Sequence, residues 1–254
     1  MKQKIITGLI LIAIFLPALY LGGNLFRLTV LVMLLLGALE IANIFKSKWP
    51  SWMNILVIIM VYGLSFLQAR YFLVGISVVI FTIFLLTVYF EWFDVSDATF
   101  LFTLLLIVGL AVKGINAAFA YGSLAILYIA VSTYLTDTGA YFVGLTMGKH
   151  KLAPRISPKK TIEGAIGGWI IGSIGSYIYA TTVIAGRFDL DLLIVASLLM
   201  PPMGQLGDLA FSSIKRHFNI KDFGHLFPAH GGVLDRIDSL LFNFMFFYAL
   251  LSII

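Results

Sequence analysis

The 254-residue chain is 61% hydrophobic and 11% charged, with a mean hydropathy of +1.03, whereas about 25% of residues in a soluble domain carry charge. This excludes a water-soluble globular domain and specifies an integral membrane protein. The lack of cysteine excludes disulfides, thiolate metal centres and cysteine nucleophiles, and no nucleic-acid signature or low-complexity tract accompanies the net charge of +5.

A spanning helix needs about 20 mostly apolar residues. The stretches 5–22, 26–45, 52–69, 71–90, 98–113, 121–147, 163–186, 190–214 and 232–254 meet that measure. The first follows Lys2 and Lys4 in the manner of a signal peptide, but no A-x-A-like cleavage site follows it, so it reads as a retained span. The expected fold is all-α: a polytopic membrane protein of about nine transmembrane helices, with 1–120 as N-terminal helices and 121–254 as the catalytic region of one continuous membrane domain. Lysine and arginine near helix ends orient such a chain. With a cytoplasmic N-terminus, Lys2, Lys4, Lys46, Lys48, Lys149, Lys151, Arg155, Lys159, Lys160, Lys215, Arg216, Lys221 and Arg236 share one side, and Arg27, Arg70, Lys113 and Arg187 the other. That asymmetry puts every polar loop able to do chemistry in the cytoplasm.

In the first five spans Glu40 is the interior acid. A charge at mid-bilayer costs about 2.5–3.5 kcal/mol on insertion scales, so Glu40 is either functional or, as expected here, snorkels toward Lys46 or Lys48. The turn holding Glu91, Asp94 and Asp97 reads as solvated.

Polar texture begins at Tyr134. Tyr134, Asp137, Tyr141, Gly144 and Gly148 recur at spacings of three and four and share one helical face, either a small-residue packing face or a functional stripe. The basic loop 149–160 suits either an anionic lipid surface or a nucleotide phosphate. Ser157-Pro158-Lys159-Lys160-Thr161 leads into Glu163-Gly164 and a new helix with Thr161 in the N-cap region, a setting that favours phosphate.

The densest polar segment is 205–238, with four of the twelve acidic residues and three of the four histidines. Pro201-Pro202 marks an expected helix break before it. Gln205, Asp208, Ser212 and Lys215 share a face, with Arg216 beside it; lipid is an unfavourable neighbour for them. Lys221 and Asp222 follow. The turn at His230, Gly231 and Gly232 brings backbone N–H groups close to an anion. Asp235 and Asp238 then sit at i and i+3, with Arg236 and Ser239 adjacent. Two carboxylates on one turn repel unless protonated or bridged by a cation, and Asp208 can complete such a site. Hard oxygen donors suit Mg²⁺. A zinc site from His225, His230 and Asp235, or a salt-bridged hairpin, are the alternatives.

Ser212-x-Ile214-Lys215-Arg216, Lys221-Asp222-x-Gly224 and Phe227-Pro228-x-His230-Gly231-Gly232-Val233-x-Asp235-Arg236-Ile237-Asp238 resemble the signature of the phosphatidate cytidylyltransferases, or CDP-diacylglycerol synthases. The upstream run from Asp137 through Ser157-Pro158-x-Lys160-Thr161-x-Glu163-Gly164 also resembles that family. Two departures are Leu145, where many members carry arginine, and Ala229, where a glycine is common. The resemblance implies attack of the phosphatidic acid phosphate on the α-phosphorus of CTP, with Mg²⁺ as cofactor and room for a second, monovalent cation. It implies catalytic roles for Asp208, Lys215, Arg216, Asp235 and Asp238, with Asp208, Asp235 and Asp238 as metal ligands. Asp137, Tyr141, Ser157, Lys160, Thr161, Glu163, Ser212, Lys221, Asp222, His230, Gly231, Gly232 and Arg236 are the substrate-binding candidates. The expected partners are CTP, phosphatidic acid and membrane lipids, with no nucleic acid and with room for a homodimer; the expected location is the cell membrane, with the site on its cytoplasmic side. A CTP-dependent polyprenol kinase and an ion-coupled transporter are the rival readings.

Overall fold

The structure is a computed structural model that describes residues 13, 15–227 and 231–253. Lys2, Lys4, Pro228, Ala229 and His230 lie outside the described residues. Residues 15–21 are helical (α1). After them come α2 (Gly23–Ile44), α3 (Trp52–Phe66), a 3-10 turn (Ala69–Tyr71), α4 (Phe72–Tyr89), α5 (Val95–Ala120) and α6 (Ser123–Met147). An antiparallel pair of short strands, β1 (Lys151–Ala153) and β2 (Ser157–Thr161), precedes α7 (Ile162–Val183), α8 (Leu190–His217) and α9 (Leu234–Leu251). The fold is that of a helical membrane protein, with one β-hairpin in the basic loop that the sequence left irregular. Among the described residues, four segments are long and apolar enough to cross a membrane: Gly23–Ile44, Ala69–Tyr89, Val95–Ala120 and Leu190–His217. On α4 the side chains of Leu73, Val74, Phe81 and Val88 are exposed while only Val79, Ile83 and Leu86 are buried, as befits a helix solvated by lipid.

Two compact units divide the chain. The first comprises the described residues of Met1–Val112 with Asp222–Arg236, and the second Lys113–Lys221 with those of Ile237–Ile254. In the first, Ile41, Met53, Val57, Leu64, Ile83, Leu101 and Leu104 form the fully buried core. Phe45 stacks on Trp49 with ring centroids 4.0 Å apart. The acidic turn before α5 exposes Glu91 and Asp94, as expected, but Asp97 is buried and both aspartates are paired. Lys48 pairs with both Asp94 and Asp97 at 2.7 Å, Trp49 donates its indole N–H to Asp97, and Asp94 accepts the Asp97 N–H as an N-cap. With Lys48 so engaged, Glu40 does not snorkel toward it; the carboxylate is buried and turned to a different partner, described below.

In the second unit α7 packs on α6 through a stripe of small residues. Gly164, Gly168, Gly172, Ser176 and Ala180 are its buried positions. A methyl group at Gly164 would meet the carbonyl oxygen of Ala140 at 2.8 Å, one at Gly168 that of Thr136 at 2.6 Å, and one at Gly172 would overlap the Thr136 hydroxyl. Helices in lipid associate by such close backbone approach, since burial there carries no hydrophobic gain.

The expected break at Pro201-Pro202 is absent: α8 runs through both prolines. Each proline lacks the N–H that would bond four residues back, freeing the carbonyls of Ser197 and Leu198. Side chains from α7 take their place. Trp169 donates to the Leu198 carbonyl at 2.8 Å, Ser173 to the same oxygen at 3.5 Å, and Ser176 to the Ser197 carbonyl at 3.3 Å.

Candidate active site

The second unit gathers most of the candidate residues. The β1–β2 hairpin is closed at its base by Glu163, whose carboxylate accepts the backbone N–H groups of Lys149 and His150 and contacts His150 Nδ1 at 2.6 Å. Thr161 caps α7 by accepting the Gly164 N–H at 3.2 Å. Gly144 and Gly148 lie against Thr161, so the glycines of the Tyr134 stripe are packing residues. Tyr134, Asp137 and Tyr141 are exposed, and the Tyr141 ring meets Phe142 edge-on. Ser157 pairs with Ala153 in the hairpin register.

Lys160, near the end of β2, forms an ion pair with Asp208 Oδ2, and Ser212 Oγ donates to Asp208 Oδ1 at 3.3 Å. Asp238 is half-buried and lies within electrostatic range of Asp208, Asp137 and the buried Lys215. The unit therefore concentrates three carboxylates and two lysines from α6, β2, α8 and α9. Gln205 donates to the Ala165 carbonyl at 2.9 Å, which ties α8 to α7. Arg216, exposed at the end of α8, donates to the carbonyls of Ile156 and Ile220, each at 3.3 Å.

The first unit holds the rest. The turn before α9 is drawn in by two carboxylates. Asp235 Oδ2 accepts the N–H groups of Phe223 at 2.7 Å and Gly232 at 2.9 Å. Glu40 Oε1 accepts from Val233 at 2.7 Å and its Oε2 from Leu234 at 2.8 Å. Gly231 takes φ +81, where a methyl group would stand 2.7 Å from Asp235 Oδ2, so glycine is demanded twice over. Phe227 and Gly231 close the loop with an N–H to carbonyl bond of 2.9 Å. Asp222 is half-buried beside Gly231, while Lys221, in the second unit, and Arg236 are exposed.

A model of the cytidylyltransferase family matches residues 2–254 of this chain. The chain belongs to the cytidylyltransferase family. Its curated relatives include the phosphatidate cytidylyltransferase of Staphylococcus haemolyticus strain JCSC1435, 38% identical over 266 residues, and that of Bacillus subtilis strain 168, 33% identical over 269 residues. That of Staphylococcus aureus strain COL is 35% identical over 264 residues. Each alignment covers 100% of this chain and 98% of the relative. As a cytidylyltransferase the protein is a nucleotidyl-transferring enzyme, and its chemistry is to be sought among charged groups that meet phosphates.

Among the described residues no group of three or more His, Cys, Asp or Glu side chains is arranged to hold a metal ion. Asp208 and Asp238 supply hard oxygen donors of the kind Mg²⁺ takes, and Mg²⁺ held by one or two carboxylates completes its shell with water and substrate phosphate. Asp235, the third ligand expected from the sequence, has its Oδ2 committed to the N–H groups of Phe223 and Gly232, so the donors that fit the ion are Asp208 and Asp238. Glu40 is the buried carboxylate whose partner the sequence did not reveal. A lone acid in an apolar span was the visible signal; the amides that donate to it lie 193 and 194 residues away.

Proposed function

We propose that the protein is a phosphatidate cytidylyltransferase. The observation that carries the reading is the cluster of Asp137, Asp208 and Asp238 with Lys160 and Lys215, in a chain similar over its whole length to relatives bearing that name. An oxygen of the phosphatidic acid phosphate attacks the α-phosphorus of CTP. The bond from that phosphorus to the α,β-bridging oxygen breaks, leaving pyrophosphate and CDP-diacylglycerol. A phosphomonoester has its second pKa near 6, so the nucleophile needs no strong base, and the work is positioning and charge neutralisation.

Asp208 and Asp238 would hold Mg²⁺, which when bound neutralises charge on the phosphates. Lys160 exchanges Asp208 for a nucleotide phosphate, and Lys215 stays beside the carboxylates as a fixed counter-charge. Arg216 and Lys221 meet the phosphates of either substrate. Ser157, Thr161, Glu163 and Ser212 shape the nucleotide side, Asp137 and Tyr141 the lipid side. Asp235, with Asp222, Gly231 and Gly232, forms the turn that presents the exposed Arg236 guanidinium to a phosphate. In this reading nine spans with a cytoplasmic N-terminus would put this chemistry where CTP is, and the lipid tails would enter sideways from the inner leaflet.

The test is product analysis with purified protein, Mg²⁺ and phosphatidic acid vesicles. Label from α-³²P CTP entering lipid with equimolar pyrophosphate release supports the reading. Label entering lipid from γ-³²P CTP instead shows a kinase, and absence of both overturns the proposed reaction.

A further inference from the structure

Glu40 lies four residues from the end of α2, in a helix apolar enough to cross a membrane. Burying a carboxylate there is costly unless hydrogen bonds compensate. The compensation is specific: one oxygen takes the Val233 N–H and the other the Leu234 N–H, the N-cap and first-turn donors of α9 that no carbonyl of the helix can reach. The positive end of the helix dipole adds to the attraction. Two glycines make room for the arrangement. A methyl group at Gly224 would stand 2.6 Å from Glu40 Oε1, and one at Gly232 would overlap the carboxylate. On the other side of the same turn Asp235 grips Phe223 and Gly232. Phe223, Gly232, Val233 and Leu234 are therefore pinned by one carboxylate from α9 and one from α2, a helix outside the signature motif.

We infer that Glu40 is a positioning residue for the transfer reaction, holding the glycine turn and the first turn of α9 in the geometry that sets Asp235. This rests on the proposed function for its kinetic consequence, though the clamp itself is read independently. Glu40→Gln keeps the shape but presents an amide N–H to one of the two backbone N–H groups, losing one bond and the charge; Glu40→Ala loses both.

The experiment compares wild type, Glu40→Gln, Glu40→Ala, Gly232→Ala and the Glu40→Ala/Gly232→Ala pair as full-length detergent-solubilised protein. Mass-spectrometric deuterium exchange of peptides covering 222–236 and 205–217 is followed beside CTP-to-lipid transfer. Both Glu40 variants are expected to speed exchange in 222–236 at least tenfold and to leave 205–217 within twofold. The kcat should fall about tenfold in Glu40→Gln and about a hundredfold in Glu40→Ala, with KM for CTP within about threefold. Gly232→Ala should lower kcat alone but change it little in the Glu40→Ala background, where the overlap has gone. Unaltered exchange in 222–236 overturns the clamp. A Glu40→Gln kcat equal to wild type with faster exchange overturns the positioning role, as does a loss explained wholly by unfolded protein. Wild type inactive on phosphatidic acid rejects the proposed reaction and the kinetic role built on it, while the exchange result still decides the clamp.

Discussion

In the first unit the carboxylates of Glu40 and Asp235 each accept two backbone N–H groups from the segment 223–234. In the second, Asp208 is met by the ammonium of Lys160 and the hydroxyl of Ser212, and Asp238 feels charges rather than amides other than that of its neighbour Ser239. The same functional group is used in two ways. A backbone N–H withdraws only if the turn unravels, so the first pair is architecture. Lysine swings on a flexible four-carbon stem, so Asp208 can change partner when a ligand arrives.

The sharpest way to break this contrast is Asp208→Asn, which removes the charge but no backbone contact. Its kcat/KM for transfer should fall about 10³-fold, or about 4 kcal/mol, with the melting temperature in detergent unchanged; activity above a tenth of wild type would place the chemistry elsewhere. Asp235→Asn should do both kinds of damage, lowering transfer about a hundredfold and also the melting temperature, because charged hydrogen bonds worth about 1.5–3 kcal/mol are weakened. If its melting curve matches wild type, the architectural role of Asp235 fails. Lys160→Ala should raise KM for CTP about tenfold in steady-state kinetics, with kcat less affected. An unchanged KM would make the ion pair purely structural.

Smaller effects lie outside both carboxylate groups. Gly172→Ala forces a methyl group onto the Thr136 hydroxyl and should destabilise by about 1–3 kcal/mol, while kcat per folded molecule stays at the wild-type level. At the start of α5, the Lys48 ammonium, with the Asp97 N–H, holds the Asp94 carboxyl below its ordinary value of 3.8. A depressed carboxyl contributes stability that is present above the unfolded pKa and lost as pH falls through the folded one. Wild type should therefore lose this contribution below about pH 4. Asp94→Ala, which costs about 1 kcal/mol as a lost N-cap, should lack that part of the acid sensitivity in melts taken from pH 6 to 3.

Much of the site was legible because its residues cluster in sequence. The three-and-four spacing of Asp208, Ser212 and Lys215 needs only a helix to align them, and the N-cap reading of Thr161 needs only a local bond. What escaped was set by distant partners. Glu40 and Lys48 look like a snorkelling pair eight residues apart, yet each is claimed by a segment far along the chain. The prolines at 201 and 202 predict a break by a local rule, and the rule yields because α7 supplies donors to the freed carbonyls. The hairpin at 151–161 was invisible because lysine, proline and serine carry little strand preference; its register comes from backbone pairing and the Glu163 brace.

Hydrophobic length and the spacing of polar residues along a helix are properties of the local chain, so the sequence alone determined that this is a helical membrane protein and which stretches carry its charge. Which carboxylate is held by backbone N–H groups and which by side chains was decided only by the tertiary structure, because partners such as Lys160 for Asp208 and the Val233 N–H for Glu40 come from segments far apart in the chain.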